Sequence, residues 1–293
     1  MGKGQNLLAT ALIVTFVAAS AFSLGKDEAL SLRQVSPIKE SSLNRVLRTG
    51  TLRCAYIVYP PETIKDPNTG KLSGTIVETT EEIGHRLGLK VDWVAEVGFQ
   101  DMFEGFKSGK YDALCSGLYE TPSRVKVALF SAPFDYGATY ALVRADDTRF
   151  DESINAIDDP HVRIAQIDGE MGQLIADESF PKAGRFSLPH LSDISQELES
   201  VATGKADVVF LQIATARGFM EHNPGKLKVL VKAPARAFPA PLLAVAQGEY
   251  GLKYLIDATL RSVQENGFVE RVLRKYDPAL DSYLLVASPY QKR

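Results

Sequence analysis

From residue 44 onward the chain alternates short β-branched runs with segments of helical period, and this alternation restricts the fold more than any other feature. LRCAYIVY is followed by IVETTEEIGHRLGL, whose Ile76, Ile83 and Leu87 recur at helical spacing, and then by the strand-like KVDWVAEV. DMFEGFKSGKYD, stopped by Gly109, leads into DALCSG. A second series repeats the pattern: VRIAQI, MGQLIADES, ISQELESVAT closed by Gly204, ADVVFL, and QIATARGFMEHNPG. Strands separated by crossover helices predict α/β lobes, each with a mostly parallel sheet flanked by helices. With 293 residues, 45% of them hydrophobic, there is enough chain for two such cores.

After the Pro-rich APARAFPAP comes one more strand, LLAVAQ, and an amphipathic helix over Leu252–Tyr276, interrupted at Asn266-Gly267. This last helix resembles the outer helices of the first series. The second lobe is therefore read as inserted into the first, with hinge crossings near Val143 to Ala145 and near Phe238 to Leu242. The expected division is an export signal over 1–21, a linker over 22–43, lobe one over 44–144, lobe two over 145–237, and lobe one again over 238–293. The tail YLLVASPYQKR is read as packing on, or trailing from, lobe one. A cleft beneath a hinge is where ligands tend to bind.

Leu7 to Leu24 contain no charge, Lys3 precedes them, and Ala19-Ser20-Ala21 offers a small-residue cleavage site. Export to the periplasm follows, with an uncleaved membrane anchor as the competing reading. Cleavage after Ala21 changes the formal charge from −3 to −4, since only Lys3 is lost. The 36 acidic and 33 basic residues are interspersed, so no basic surface for nucleic acid is expected. Cys54 and Cys115 both fall in apolar runs. Export allows a disulfide between them, but two buried thiols are the favoured reading.

Histidines 85, 161, 190 and 222 are scattered, with none in metal-ligand spacing. There is no G-x-S-x-G elbow, Walker loop or zincin helix. DPNTG over 66–70 begins like a calcium loop, but Lys71 and Val77 stand where glycine and glutamate are needed, so a β-turn is predicted. No cofactor is expected. What remains is polar and aromatic chemistry at strand ends: Tyr56, Tyr59 and Glu62, then Ser116 to Arg124, then Asp168 to Glu170. Ligands in α/β sheets bind where such loops converge. In that setting the Arg124 guanidinium suits a carboxylate; a surface ion pair with Glu120 is its alternative.

The ordered series NRVLRTGTLRCAYIVYPPE, DPNTGKLSGTIVE, LGLKV, GKYDALCSGLYETPSRVKVALFSAPF and GKADVVFLQ resembles the periplasmic solute-binding proteins that serve polar amino-acid ABC transporters. The resemblance covers about 44–277. It implies a two-lobed periplasmic binding protein fold that closes on a small carboxylate-bearing ligand and, as a monomer, delivers it to a membrane permease. It assigns Thr121 and Arg124 to a T-x-x-R motif whose arginine holds the ligand carboxylate. Ser116, Gly117 and Tyr119 become further hydrogen-bonding positions, and Tyr59 an aromatic stacking on the ligand, with Tyr56 the weaker candidate. The lobe-two loop becomes Gly169-Glu170-Met171.

Two departures stand out. Glu170 occupies that loop, and Gln212 stands where the resemblance places the aspartate that pairs with a ligand ammonium. Either Glu170 or Glu62 replaces that aspartate, or the ligand is not an ordinary α-amino acid. Two other readings share the fold: an exported enzyme like cyclohexadienyl dehydratase, where the resemblance brings Gln173 to the general-acid position, and a periplasmic accessory protein with an altered pocket. The exported chain is expected to begin at Phe22. Intact mass of the periplasmic protein tests this, and recovery of full-length chain only in membranes would contradict it.

Overall fold

The structure is a computed structural model that describes residues 40–230 and 235–287. The apolar segment read as an export signal lies outside these residues. Helix α1 (Ser42–Thr49) is capped by the Ser41 hydroxyl, which accepts the Asn44 N–H, and closes at Gly50 in the left-handed conformation. Strand β1 (Thr51–Tyr56) follows, then the hairpin of β2 (Ile64–Lys65) and β3 (Leu72–Ser73) around the DPNTG turn. The Asp66 carboxylate accepts the N–H groups of Asn68 and Thr69 there, an Asx turn rather than a calcium loop.

Helix α2 (Thr75–Leu87), strand β4 (Lys90–Glu96), the short α3 (Glu104–Ser108) and β5 (Ala113–Leu114) complete the first series. With β6 (Ala128–Phe130) and β13 (Ala244–Ala246), the first sheet has the order β4-β1-β5-β13-β6. It is parallel through β4, β1 and β5, and antiparallel where the chain returns at β13. Alternation of side chains puts Leu52, Cys54, Ala113 and Cys115 in one buried cluster and Ala55 and Leu114 in the cluster on the other face. Helices α7 (Tyr250–Glu265) and α8 (Phe268–Tyr276), divided at Asn266-Gly267 as read from the sequence, cover the first of these clusters together with α2. Asp112, almost fully buried, fixes β5 to its neighbours by accepting from Arg45 of α1 and Arg53 of β1.

The second sheet comprises β7 (Pro133–Arg144), β8 (Arg163–Ile167), β9 (Gly184–Leu188), β10 (Val208–Leu211) and β11 (Leu227–Val229) in the order β11-β7-β10-β8-β9. Helices α4 (Met171–Ser179), α5 (Ile194–Ala202) and α6 (Ile213–His222) flank it. Here too the strands joined by helices are parallel, and the pairings of β7 are antiparallel.

The first of the two crossings differs from the sequence reading. β7 pairs with β10 from Tyr140 onward, so the chain has entered the second sheet before 143–145. Its first half pairs with β12 (Arg236–Pro241), formed by the Pro-rich segment that reads as a break in the sequence. Pro239 and Pro241 are tolerated because β12 uses only one edge, so their missing N–H groups cost no ladder bond on a second partner. The tail packs on lobe one, with Tyr283 in its buried cluster, and it also adds a strand: β14 (Tyr283–Leu284) pairs with Gly137 and Tyr136 on the opposite edge of β7. A three-stranded ribbon therefore joins the two sheets.

The cysteines also require correction. β1 and β5 are adjacent, and Cys54 and Cys115 share one face with Cα atoms 5.5 Å apart, so they form a disulfide instead of two thiols. The bridge spans 61 residues of sequence. Replacing both by alanine is expected to lower stability by about 2–4 kcal/mol through the larger conformational freedom of the unfolded chain. Urea unfolding of the oxidised protein against the double variant measures this; equal midpoints would show that the bridge contributes nothing.

Candidate functional site

The carboxyl ends of β1 and β5, the loop after β8, the start of α6 and the hinge strands converge on two adjoining spaces. The inner one is a cavity of about 50 Å³, and the outer one a groove of about 610 Å³ between the lobes. Of the residues singled out in the sequence, Tyr59, Glu62, Ser116, Gly117 and Gln212 line the cavity, whereas Thr121, Arg124 and Gly169 line the groove. Tyr119 and Glu170 form part of both walls. Tyr56 lies apart, with its ring edge-on to Trp93 in lobe one.

Arg124 begins a single 3₁₀ turn over Arg124–Lys126, and the Thr121 hydroxyl accepts its N–H at 3.2 Å. Thr121 thus has a local capping role that accounts for its spacing from the arginine. The guanidinium is buried over the Tyr119 ring, 4.6 Å from its centre, and donates to the Tyr119 carbonyl at 3.0 Å. A second N–H reaches across the cleft to the Gly169 carbonyl at 2.6 Å. Arg124 is therefore a bridge between the lobes, with carbonyl partners where the sequence alternative had Glu120.

Glu170 departs from the resemblance for a structural reason. It stands at the N-cap of α4, where its carboxylate accepts the Gly172 N–H at 2.5 Å and the Tyr59 hydroxyl at 3.2 Å. Burial pushes its pKa up, with these donors drawing it back. Gln173 uses its side-chain carbonyl to accept the Gly169 N–H at 2.8 Å, which fixes the loop that Arg124 grips.

Gln212 occupies the N-cap position of α6 without capping it. The Ala214 N–H in that first turn is satisfied instead by the Ser282 hydroxyl from the tail, at 2.7 Å. Asp277 holds this part of the tail by accepting the Ser282 N–H and pairing with Arg217 of α6. The Gln212 amide is thereby left to the cavity, and its Oε1 has no hydrogen-bond partner. Glu62 lies beside it. Burial raises the Glu62 carboxyl to about 8, with the Gln212 amide pulling it down and Glu170 pushing it further up.

The sequence reading missed several residues here. Phe99 and Phe238 supply apolar walls, and Thr139 projects from β7. Phe99 follows the end of β4, a position the strand-end rule could have flagged. Glu197 and Asp135 are buried acids close to Glu170 and Glu62 respectively, and burial raises both. No motif distinguishes them: Glu197 falls in a helix read as an ordinary element, and Asp135 in a stretch to which the sequence assigned no strand.

The profile of the bacterial extracellular solute-binding proteins, family 3, matches residues 52–278. A probable amino-acid ABC transporter-binding protein of Haemophilus influenzae is 24% identical over 271 residues, covering 91% of this chain and 94% of its own. The L-cystine-binding protein TcyA of Bacillus subtilis is 22% identical, with 93% and 97% covered. The crystal structure of the ancestral amino acid-binding protein AncCDT-1, a precursor of cyclohexadienyl dehydratase, superposes with a TM-score of 0.71 at 24% identity, over 81% of this chain and 99% of that one. An amino acid ABC transporter substrate-binding protein from Streptococcus pneumoniae, bound to L-arginine, gives 0.68 at 21%, over 84% and 100%. At these identities the structural likeness establishes the two-lobed fold alone. The profile match runs through both lobes and their hinge, and on that ground the chain belongs to the bacterial extracellular solute-binding proteins, family 3.

Proposed function

We propose that this chain works in the periplasm as a monomeric receptor that closes on a small carboxylate-bearing solute, amino acid-like or an organic acid, and presents it to an ABC importer. The observation that supports this most is Arg124: a buried guanidinium, on the groove between the lobes, that already reaches from one lobe to the other. Two of its N–H groups are held by carbonyls, and a guanidinium carries three more that can donate to a carboxylate. Relatives named as amino-acid transporter-binding proteins support the same reading. Binding fits the site better than dehydratase chemistry, because Gln173 is an amide engaged with Gly169.

Calorimetric titration with the twenty amino acids and a panel of organic acids tests the proposal. Arg124→Ala is expected to weaken the tightest ligand at least 100-fold while costing about 1–2 kcal/mol of folding stability, the scale of its lost hydrogen bonds. Arg124→Lys is expected to bind poorly as well, since lysine cannot hold two carbonyls and a carboxylate in one plane. Undiminished binding by Arg124→Ala would remove the arginine from the site. Small-angle scattering is expected to show a smaller radius of gyration with ligand; identical profiles would argue for a rigid accessory protein.

A further inference from the structure

We infer that Tyr119 and Phe238 set the size of the solute: their paired rings form the wall that shuts the inner cavity off from the groove, and closure seats that wall only around a small solute. This rests on the solute-receptor reading and adds the solute's size to it, a body of about five non-hydrogen atoms or fewer beyond the carboxylate.

The first observation is the partition itself. Tyr119 lines both the cavity and the groove, as do Phe99 and Glu170. Its ring centre lies 5.7 Å from that of Phe238, which lines the cavity but not the groove. Each ring is also held by a guanidinium. That of Arg124 lies over Tyr119, and that of Arg236 lies 4.6 Å from the centre of the Phe238 ring while pairing with Glu178 of α4. The Tyr119 hydroxyl has no hydrogen-bond partner, so packing and the arginines fix the ring.

A second, independent observation is where Tyr119 is seated. It belongs to lobe one, in the loop after β5, yet it packs with Phe238 against the lobe-two cluster that contains Met171 and Phe210. Met171 and Phe210 line the cavity as well. The Tyr119 ring can take this seat only when the lobes are together, so the wall is a product of closure. A close-packed seat has no room for both the ring and a projecting solute. A solute that extends past the wall therefore holds the ring out and stops the lobes short of the closed form.

Volume gives the limit. The cavity measures about 50 Å³, and one water needs roughly 10–15 Å³ of such space, so the cavity takes roughly three to five atoms of that size. Arg124 lines the groove and not the cavity, so a carboxylate it holds leaves the cavity volume to the rest of the solute. The other rings of lobe one add no slot. Tyr59 and Phe99 meet edge-on with centres 6.3 Å apart, which is contact distance, and both pack against the lobe-two cluster that contains Ile167 and Leu211.

Calorimetric titration with a graded panel tests this, the probes being the twenty amino acids and the straight-chain mono- and dicarboxylic acids of two to ten carbons. Binders of the unmodified protein are expected to carry no more than about five non-hydrogen atoms beyond the carboxylate, with larger members at least 30-fold weaker. Tyr119→Ser removes the wall and is expected to raise the affinity of larger members relative to small ones at least tenfold. Phe238→Ala removes the seat and is expected to act in the same direction. Tyr119→Phe keeps the ring and is expected to keep the size cut-off, whatever its absolute affinity. Far-UV spectra and melting cooperativity confirm the fold of each variant, and the series on the unmodified protein stands without them. A larger member as its tightest ligand would overturn the inference and leave the solute-receptor reading standing, as would an unchanged cut-off in folded Tyr119→Ser. No binding by any probe at millimolar concentration would overturn both.

Discussion

The antiparallel pairing of β7 with β12 and β14 is the constraint on which the molecule depends. β7 runs from one lobe to the other: its second half belongs to the lobe-two sheet, and its first residues follow directly from β6 of lobe one. Gly137, at the middle of the ribbon, is paired on both edges. The same ribbon forms the floor of the site. Thr139 and Gly137 line the cavity from β7, and Phe238 to Ala240 line it from β12.

The tail turns this floor into a positioning device. Ser282 satisfies the first turn of α6, and Tyr140 donates to the Asp281 carbonyl at 3.0 Å. Asp277, fully buried, anchors the tail by its bonds to the Ser282 and Tyr283 N–H groups. A helix start with a neutral N-cap side chain would ordinarily leave an orphan donor to solvent. Here the tail supplies the acceptor, and the Gln212 amide is released from capping. A residue near the C-terminus thus determines what the cavity floor offers a ligand.

The order of strands and helices was readable because each lobe buries its sheet beneath amphipathic helices, which imprints period 2 and period 3.6 on the sequence. The ten residues picked for the site also converge, since strand-end loops must meet at one edge of each sheet. The strand pairing at the hinge was not readable. Pro239 and Pro241 signal a break in a local reading, and only the pairing with β7 shows that their missing donors face no partner. Tail strand β14 has two residues, too few for any period. The disulfide was equally hidden: that Cys54 and Cys115 share a face depends on the strand order, which local patterns do not carry. Buried Glu197 and Asp135 were invisible because a carboxylate in an amphipathic segment reads as solvated until the opposing layer is known.

On the function proposed above, the placement of charge also orders the events of closure. Arg124, Tyr119, Tyr59 and Glu62 all belong to lobe one, whereas lobe two contributes Gly169, Glu170 and Gln212. On that reading, a solute's carboxylate can therefore meet Arg124 on lobe one while the cleft is open and both groups are hydrated. Lobe two then adds backbone and amide acceptors and removes water. The 2.6 Å bond from Arg124 to the Gly169 carbonyl then becomes the contact by which an occupied lobe one holds lobe two.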